Sequence, residues 1–197
     1  MPSDLQSRRT TKLRKLPRAF FAREAEQLAH DLIGTILVHR IDGKQVSGRI
    51  VETEAYVGAH DLACHAAKGR TARTEVMFGR AGHAYVYLCY GIHDMLNIVS
   101  GHPEVAQAVL VRAAEPLDGW QANLSGPGNL AKGFGITRRH NGLDLTGGEI
   151  FLLEDPSYVP RIVRTRRIGV DYAKEWKDAP LRFIDADSGA VSRPRFR

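Results

Sequence analysis

The stretch Thr35-Ile36-Leu37-Val38-His39-Arg40, Ile41-Asp42-Gly43-Lys44 and Gln45 to Tyr56 sets two runs of strand-forming residues on either side of an Asp-Gly pair. Asp-Gly tolerates the positive φ that a tight connection demands, so the segment reads as a β-hairpin. Just upstream, Ala25, Leu28, Ala29, Leu32 and Ile33 recur at the spacing of one helix face, and Gly34 is placed to end that helix. Downstream, Ala84 to Tyr90 forms another strand that stops at Gly91, and the apolar run Met95 to Val99 returns after Ile92-His93-Asp94 as a second hairpin. Ala106 to Arg112 is a further strand, ended by Glu115-Pro116-Leu117-Asp118-Gly119. Ser125 to Leu130 opens a helix with Pro127 in its first turn, and strands recur at Ile150 to Leu153, Arg161 to Ile168 and Leu181 to Ile184. Residues 57 to 83 have weak periodicity and read as loops and short helices. Strands that arrive as hairpins, with helices between some of them, predict an α+β fold with a mainly antiparallel sheet flanked by helices.

The 197 residues, 43% hydrophobic and 25% charged, fit one compact domain and exclude a disordered chain. No run approaches the roughly 18 to 20 apolar residues of a spanning helix. With no apolar secretory segment near Met1 and only Cys64 and Cys89, the expectation is a soluble, cytoplasmic protein without a disulfide framework or a membrane partner. The net charge of +6 points to a polyanionic partner, and its position is uneven. Residues 1–18 hold Arg8, Arg9, Lys12, Arg14, Lys15 and Arg18 against Asp4, a net of +5, which leaves the other 179 residues nearly neutral. The expected division is therefore a disordered basic arm over 1–17 and one domain over 18–197; an Arg-rich transit peptide is the rival reading of the arm.

Four groups of residues carry chemistry. In Arg49-Ile50-Val51-Glu52-Thr53-Glu54-Ala55-Tyr56, strand alternation puts Glu52, Glu54 and Tyr56 on one face. Two carboxylates beside an aromatic suit acid-base hydrolysis, whereas the bland alternative is an exposed polar face at a strand end. His60-Asp61-Leu62-Ala63-Cys64-His65 brings imidazoles near a thiol, a weak zinc pattern because its spacing matches no usual motif. Tyr85 and Tyr87 share a strand face and Tyr90 takes the other, beside a glycine at a hairpin tip, where it is either free to insert into a partner or half-buried like its neighbours. The run Ala108-Val109-Leu110-Val111-Arg112 ends on a charge that must sit at the strand end or find an acidic or phosphate partner. No phosphate-binding loop, dinucleotide fingerprint or nucleophile elbow occurs.

Together, Arg49 to Tyr56, Met77-Phe78, Tyr85-Val86-Tyr87 with Tyr90-Gly91 and Asn97, Leu110 to Ala113, Ser125-Gly126-Pro127, Arg167 to Val170 and Pro180 to Phe183 resemble the alkyladenine (3-methyladenine) DNA glycosylases, from about Phe20 to Ile184. The resemblance implies a strongly curved sheet with a β-hairpin protruding toward DNA. It implies an enzyme of base excision repair that flips alkylated or deaminated purines (3-methyladenine, 7-methylguanine, hypoxanthine, ethenoadenine) out of duplex DNA and hydrolyses the N-glycosidic bond. By that resemblance Glu54 activates the attacking water, which makes Glu52 the lesser candidate, and Arg112 holds the water or a phosphate. Tyr56 stacks on one side of the flipped base, His65 and Tyr87 on the other, and Asn97 excludes a guanine amino group. Tyr90, with Gly91 at the tip, enters the minor groove. The same resemblance implies no metal, no organic cofactor and no Schiff-base lysine, hence a monofunctional enzyme that leaves an abasic site. A monomer acting on damaged double-stranded DNA is expected, nucleoid-associated in a bacterium or nuclear in a eukaryote. Segments 57–64 and 100–107 depart most from the pattern, so pocket shape and DNA contacts are expected to differ there.

Overall fold

The computed structural model describes residues 13–194. In chain order these form β1 (Arg14–Lys15), α1 (Arg18–Phe21), α2 (Ala25–Leu32), β2 (Ile36–Ile41), β3 (Lys44–Tyr56), β4 (Ala84–Cys89), β5 (His93–Ser100), β6 (Gln107–Pro116), α3 (Pro127–Gly133), β7 (Ile150–Glu154), β8 (Ile162–Thr165) and β9 (Arg182–Asp185). Short 3-10 helices lie at His65–Lys68, Glu75–Phe78, Arg138–His140 and Lys174–Asp178.

The Asp42-Gly43 pair turns the chain with φ of 48° and 76°, and β2 returns along β3 with Ile36 opposite Arg49 and Ile41 opposite Lys44. Around this hairpin one open antiparallel sheet assembles in the order β1-β7-β2-β3-β6-β5-β4. β9 pairs with β3 at Glu52–Glu54, past the end of β2, and β8 flanks β9. The expected single α+β domain with a mainly antiparallel sheet is what forms. The helix Ala25–Leu32 covers the sheet because Leu28, Ala29 and Leu32 face one way, into a core shared with Ile50, Val109, Val111 and Phe183. Each such fully buried aliphatic chain contributes roughly 1.5–3 kcal/mol. Among the described residues no helix is long and apolar enough to cross a membrane.

Two features of β3 and β6 position the site. Ile50 faces Ala114, Glu52 faces Ala113 and Thr53 faces Val111, so Val51 on one strand and Arg112 on the other stand unpaired in opposed bulges. β6 also continues to Pro116, so Arg112 sits inside a strand rather than at its end, and its charge is met by acids on β3.

Several expected boundaries move. The turn of the second hairpin is Tyr90-Gly91, closed by the Ile92 N–H donating to the Cys89 carbonyl at 3.1 Å, and His93 already belongs to β5. β8 is shorter than the run Arg161 to Ile168. The arm expected to be disordered over 1–17 must also be corrected: Arg14 and Lys15 pair with Glu154 and Leu153, and Leu16 is buried in the core. An apolar residue at position 16 and a free edge on β7 recruit this segment into the fold. Residues 1–12 of the arm lie outside the described residues.

Candidate active site

Alternation along β3 does bring Glu52, Glu54 and Tyr56 to one side, but not to an exposed face: both carboxylates are 0% exposed. Glu52 is saturated. Its Oε1 accepts from Arg112 Nε (2.8 Å), Arg182 Nε (2.7 Å) and the Ser192 hydroxyl (2.8 Å), and its Oε2 accepts the Ser192 N–H at 2.8 Å. Burial pushes the Glu52 carboxyl up, but Arg112 and Arg182 outweigh it and hold the group below its ordinary value. Glu54 accepts the Ile168 N–H (2.8 Å) and the Tyr56 hydroxyl (3.0 Å), with Arg112 Nη1 at 3.3 Å. Burial and the adjacent Glu54 charge keep the Tyr56 phenol protonated, its pKa well above the ordinary value. Arg112 bridges both acids; burial disfavours its charge, yet Glu54 and Glu52 together drive its pKa upward.

Beside this cluster lies a cavity of about 450 Å³, within the usual range of about 300–1,000 Å³ for ligand sites. Tyr56, His65, Tyr87, Tyr90, Asn97 and Arg112 all line it. Glu54 does not touch the cavity; it lies one layer behind, held by three of the wall residues, Tyr56, Arg112 and Ile168. The His65 ring sits 4.6 Å from that of Tyr87, and its Nδ1 lies 3.0 Å from the Tyr85 hydroxyl. Burial, followed by the nearby Arg73 and Lys68, lowers the His65 pKa to about 4, so the ring is neutral at ordinary pH. Arg73 lies over the opposite partner, 4.9 Å from the Tyr87 centroid. Asn97, opposite Tyr85 in the β4–β5 pair, donates its Nδ2 to the Tyr85 and Met95 carbonyls, which leaves Oδ1 as its free acceptor. Tyr90 borders the cavity from the hairpin tip, 88% exposed, at φ 49°, with Gly91 at φ 73°. Because L residues avoid this region, a tyrosine in it is held by the two-strand turn.

The zinc reading of His60, Cys64 and His65 is overturned. His65 faces the tyrosines, the His60 ring packs on Trp176, and Cys64 is a buried thiol that burial pushes up to about 11. Sequence reasoning also missed the supports of the site. Arg167 makes a paired contact with Asp61 (2.5 and 2.8 Å), bonds the Ala55 carbonyl at 2.9 Å and lies 4.8 Å from the Tyr56 ring centroid. This ion pair is 0% exposed and fixes both Tyr56 and the neighbouring Ile168 N–H. Arg182, entirely buried, neutralises Glu52 from β9. A different cavity of about 500 Å³ beside α2 and β8 is lined by none of the candidate site residues Glu54, Tyr56, His65, Tyr87, Tyr90, Asn97 and Arg112, and its Arg164 and Glu26 pair with one another.

A buried carboxylate and arginine lie beneath an aromatic slot with an exposed tyrosine at its rim, an arrangement whose chemistry is compatible with hydrolysis at a flat aromatic group. Comparison with known proteins names the class. The family model described as methylpurine-DNA glycosylase matches residues 19–189. The chain is 50% identical to a protein of Myxococcus xanthus over 90% of this chain and 93% of the relative. It is 48% identical to one of Anaeromyxobacter sp. Fw109-5 (91% and 93%) and 47% identical to one of Legionella pneumophila strain Lens (92% and 100%). All three relatives carry the name 3-methyladenine DNA glycosylase. The chain belongs to the methylpurine-DNA glycosylase family, and it is a DNA repair enzyme that hydrolyses N-glycosidic bonds in DNA.

Proposed function

We propose that the protein excises alkylated and deaminated purines, namely 3-methyladenine, 7-methylguanine, hypoxanthine and ethenoadenine, by flipping them from duplex DNA into the 450 Å³ cavity. The observation that carries this reading is the meeting of Tyr56, His65, Tyr87 and Asn97 in one slot above the Arg112–Glu54 pair. The flipped base stacks on Tyr56 at one face and on His65 and Tyr87 at the other. A neutral His65 adds no positive charge against a cationic alkylpurine, so the π-faces attract it unopposed. The Asn97 Oδ1 accepts from an adenine-like amino group and crowds a guanine 2-amino group, so 7-methylguanine, which keeps that group, is the poorest substrate of the four.

In the reaction a water entering beside Arg112 replaces the Tyr56 hydroxyl on Glu54 Oε2. Its oxygen bonds to C1′ as the C1′–N bond breaks, the bonding pair leaves with the purine, and Glu54 takes the water proton. The carboxylate also favours the positive charge that develops on the sugar. Among the described residues no lysine lines the cavity, which supports a monofunctional reaction that leaves an abasic site intact. Tyr90 fills the gap in the duplex from the minor groove, and Gly91 lets the tip approach the backbone. The enzyme acts as a monomer on double-stranded DNA, in the compartment that holds the genome.

The test is release of free base from duplexes that each carry one of the four lesions. Release from at least one, with Tyr90→Ala slowing it roughly tenfold or more through the lost stacking, supports the reading. Binding without release from any of them would remove the catalytic claim.

A further inference from the structure

We propose a divalent-metal site of the zinc class at His39, His140 and Glu149, outside the DNA cavity. Each residue offers one ligand atom, and the three atoms lie within 4.8 Å of one another. None of the three lines the cavity.

His39 carries the argument. It is 0% exposed, and its Nδ1 lies 2.6 Å from the Phe134 carbonyl oxygen. A carbonyl only accepts, so Nδ1 holds the proton and Nε2 holds a lone pair. That Nε2 is buried and has no hydrogen-bond partner. Buried acceptors are rarely left so, and this one points toward a second buried imidazole whose ring centroid is 5.2 Å away. His140 differs: its Nδ1 accepts the Thr137 N–H at 3.0 Å and lies 3.1 Å from the Thr137 carbonyl, and its Nε2 is 3.6 Å from Glu149 Oε1. Arg139 points its Nε–H at His140 Nε2 at 3.0 Å, so a cation already occupies the position a metal would take on this ring. His39, which spends Nδ1–H on a backbone carbonyl and leaves Nε2 open, has the outer support typical of metal-binding histidines; His140 reaches the same state once its Nδ1 gives up the Thr137 N–H and turns its own proton to the Thr137 carbonyl.

Two nitrogens and one carboxylate oxygen suit zinc, with ligand distances of about 2.0–2.2 Å and water completing a tetrahedron. The farthest ligand atoms must close together by up to about 1.5 Å to reach that geometry. Glu149 is able to supply the movement, since its side chain is 44% exposed and follows Gly147-Gly148, with Gly148 at φ 76°. Arg139 is exposed and swings away when the cation takes its place. The metal then ties β2 to the Arg138–His140 turn and to the start of β7. That turn is already fastened to the Tyr90 hairpin, through Arg138 to Asp94 on β5 and through Asn141 Oδ1 to the Val86 N–H on β4.

The experiment uses the full chain, freed of any affinity tag and of metal by chelation, and titrates it with Co²⁺ and with Zn²⁺ against a chromophoric chelator. Expected are one equivalent bound, a visible Co²⁺ spectrum of four-coordinate nitrogen and oxygen ligation, and a higher melting temperature with metal. Glu149→Ala, a surface change, should weaken binding at least about tenfold while base release continues, and His39→Gln should weaken it about a hundredfold. Arg139→Ala should tighten binding several-fold. Absence of stoichiometric binding, a thiolate-to-cobalt band, or affinity unchanged in Glu149→Ala would overturn the site. If His39→Gln fails to fold, the Glu149→Ala and Arg139→Ala pair still decides.

Discussion

Glu52 and Glu54 are the same residue type, two positions apart on β3, equally buried and both within reach of Arg112. Their surroundings nevertheless differ in kind. The donors to Glu52 come from β6, β9 and the Ser192 segment, and they leave neither oxygen without a close partner. Two of the three groups that contact Glu54 share its Oε2, and all three belong to residues of the cavity wall. On the proposed mechanism, what separates a structural acid from a reactive one is neither burial nor strand alternation. It is whether the partners belong to the scaffold or to the surface that substrate displaces.

The strongest way to break this comparison is to neutralise Glu54. Glu54→Gln keeps the shape and should lower single-turnover base release by about 10²–10⁴-fold, with duplex binding retained. Full activity in that variant would move the general base elsewhere, to Glu52 first. Glu52→Gln should instead act on folding, because Arg112 and Arg182 lose the charge that compensates them in a dry interior. The expected cost is about 3–5 kcal/mol of unfolding free energy, read by denaturant titration. A Glu52→Gln protein as stable as the parent would show that the network around it is dispensable.

Much of this contrast lay beyond the sequence, for identifiable reasons. Asp42-Gly43 and the spacing of Ala25, Leu28 and Leu32 are local signals, and they located the central hairpin and the helix that covers it. Alternation likewise grouped Glu52, Glu54 and Tyr56. The opposed bulges at Val51 and Arg112 have no local signature, since neither strand holds a glycine or proline there. Asp61 and Arg167 stand 106 residues apart, so their pairing is a property of the fold and not of any motif. The strand at Arg14–Lys15 was hidden for the same reason: its charges resemble a solvated tail until β7 offers an edge. The residues that hold a site in place come from distant segments, and local patterns reveal mainly the residues that project from regular strands.

A smaller effect should appear in the pH dependence of stability. Glu52 titrates below its ordinary value of 4.5 in the folded protein, so the unfolded chain binds the proton more readily. Its stabilisation is complete above pH 4.5 and is lost as pH falls through the folded-state pKa. His65 adds to the slope at higher pH: with a folded pKa of about 4 against 6.5, stability declines between pH 6.5 and 4 as the unfolded chain takes up protons. Urea titrations from pH 7 to 3 should show both declines. Glu52→Gln should remove the lower one, and His65→Phe the upper.

The least effect is expected from the N-terminal segment, and the fold narrows what that segment can be. Of the +5 in residues 1–18, Arg14 pairs with Glu154 and Arg18 with Asp144, both within the body. Residues 1–12 retain Arg8, Arg9 and Lys12 against Asp4, and residues 13–197 keep 25 basic against 21 acidic groups. If each of the three cations meets a phosphate, removing them reduces the slope of log affinity against log salt by at most about 2.7. A protein starting at Leu13 should therefore bind duplex more weakly at low salt and almost normally at high salt. Its base release at saturating enzyme should be unchanged, because the charges that touch Glu54 come from β6 and not from the terminus. A loss of more than tenfold in that saturated rate would place residues 1–12 in the catalytic machinery, and the division between scaffold and cavity donors would have to include them.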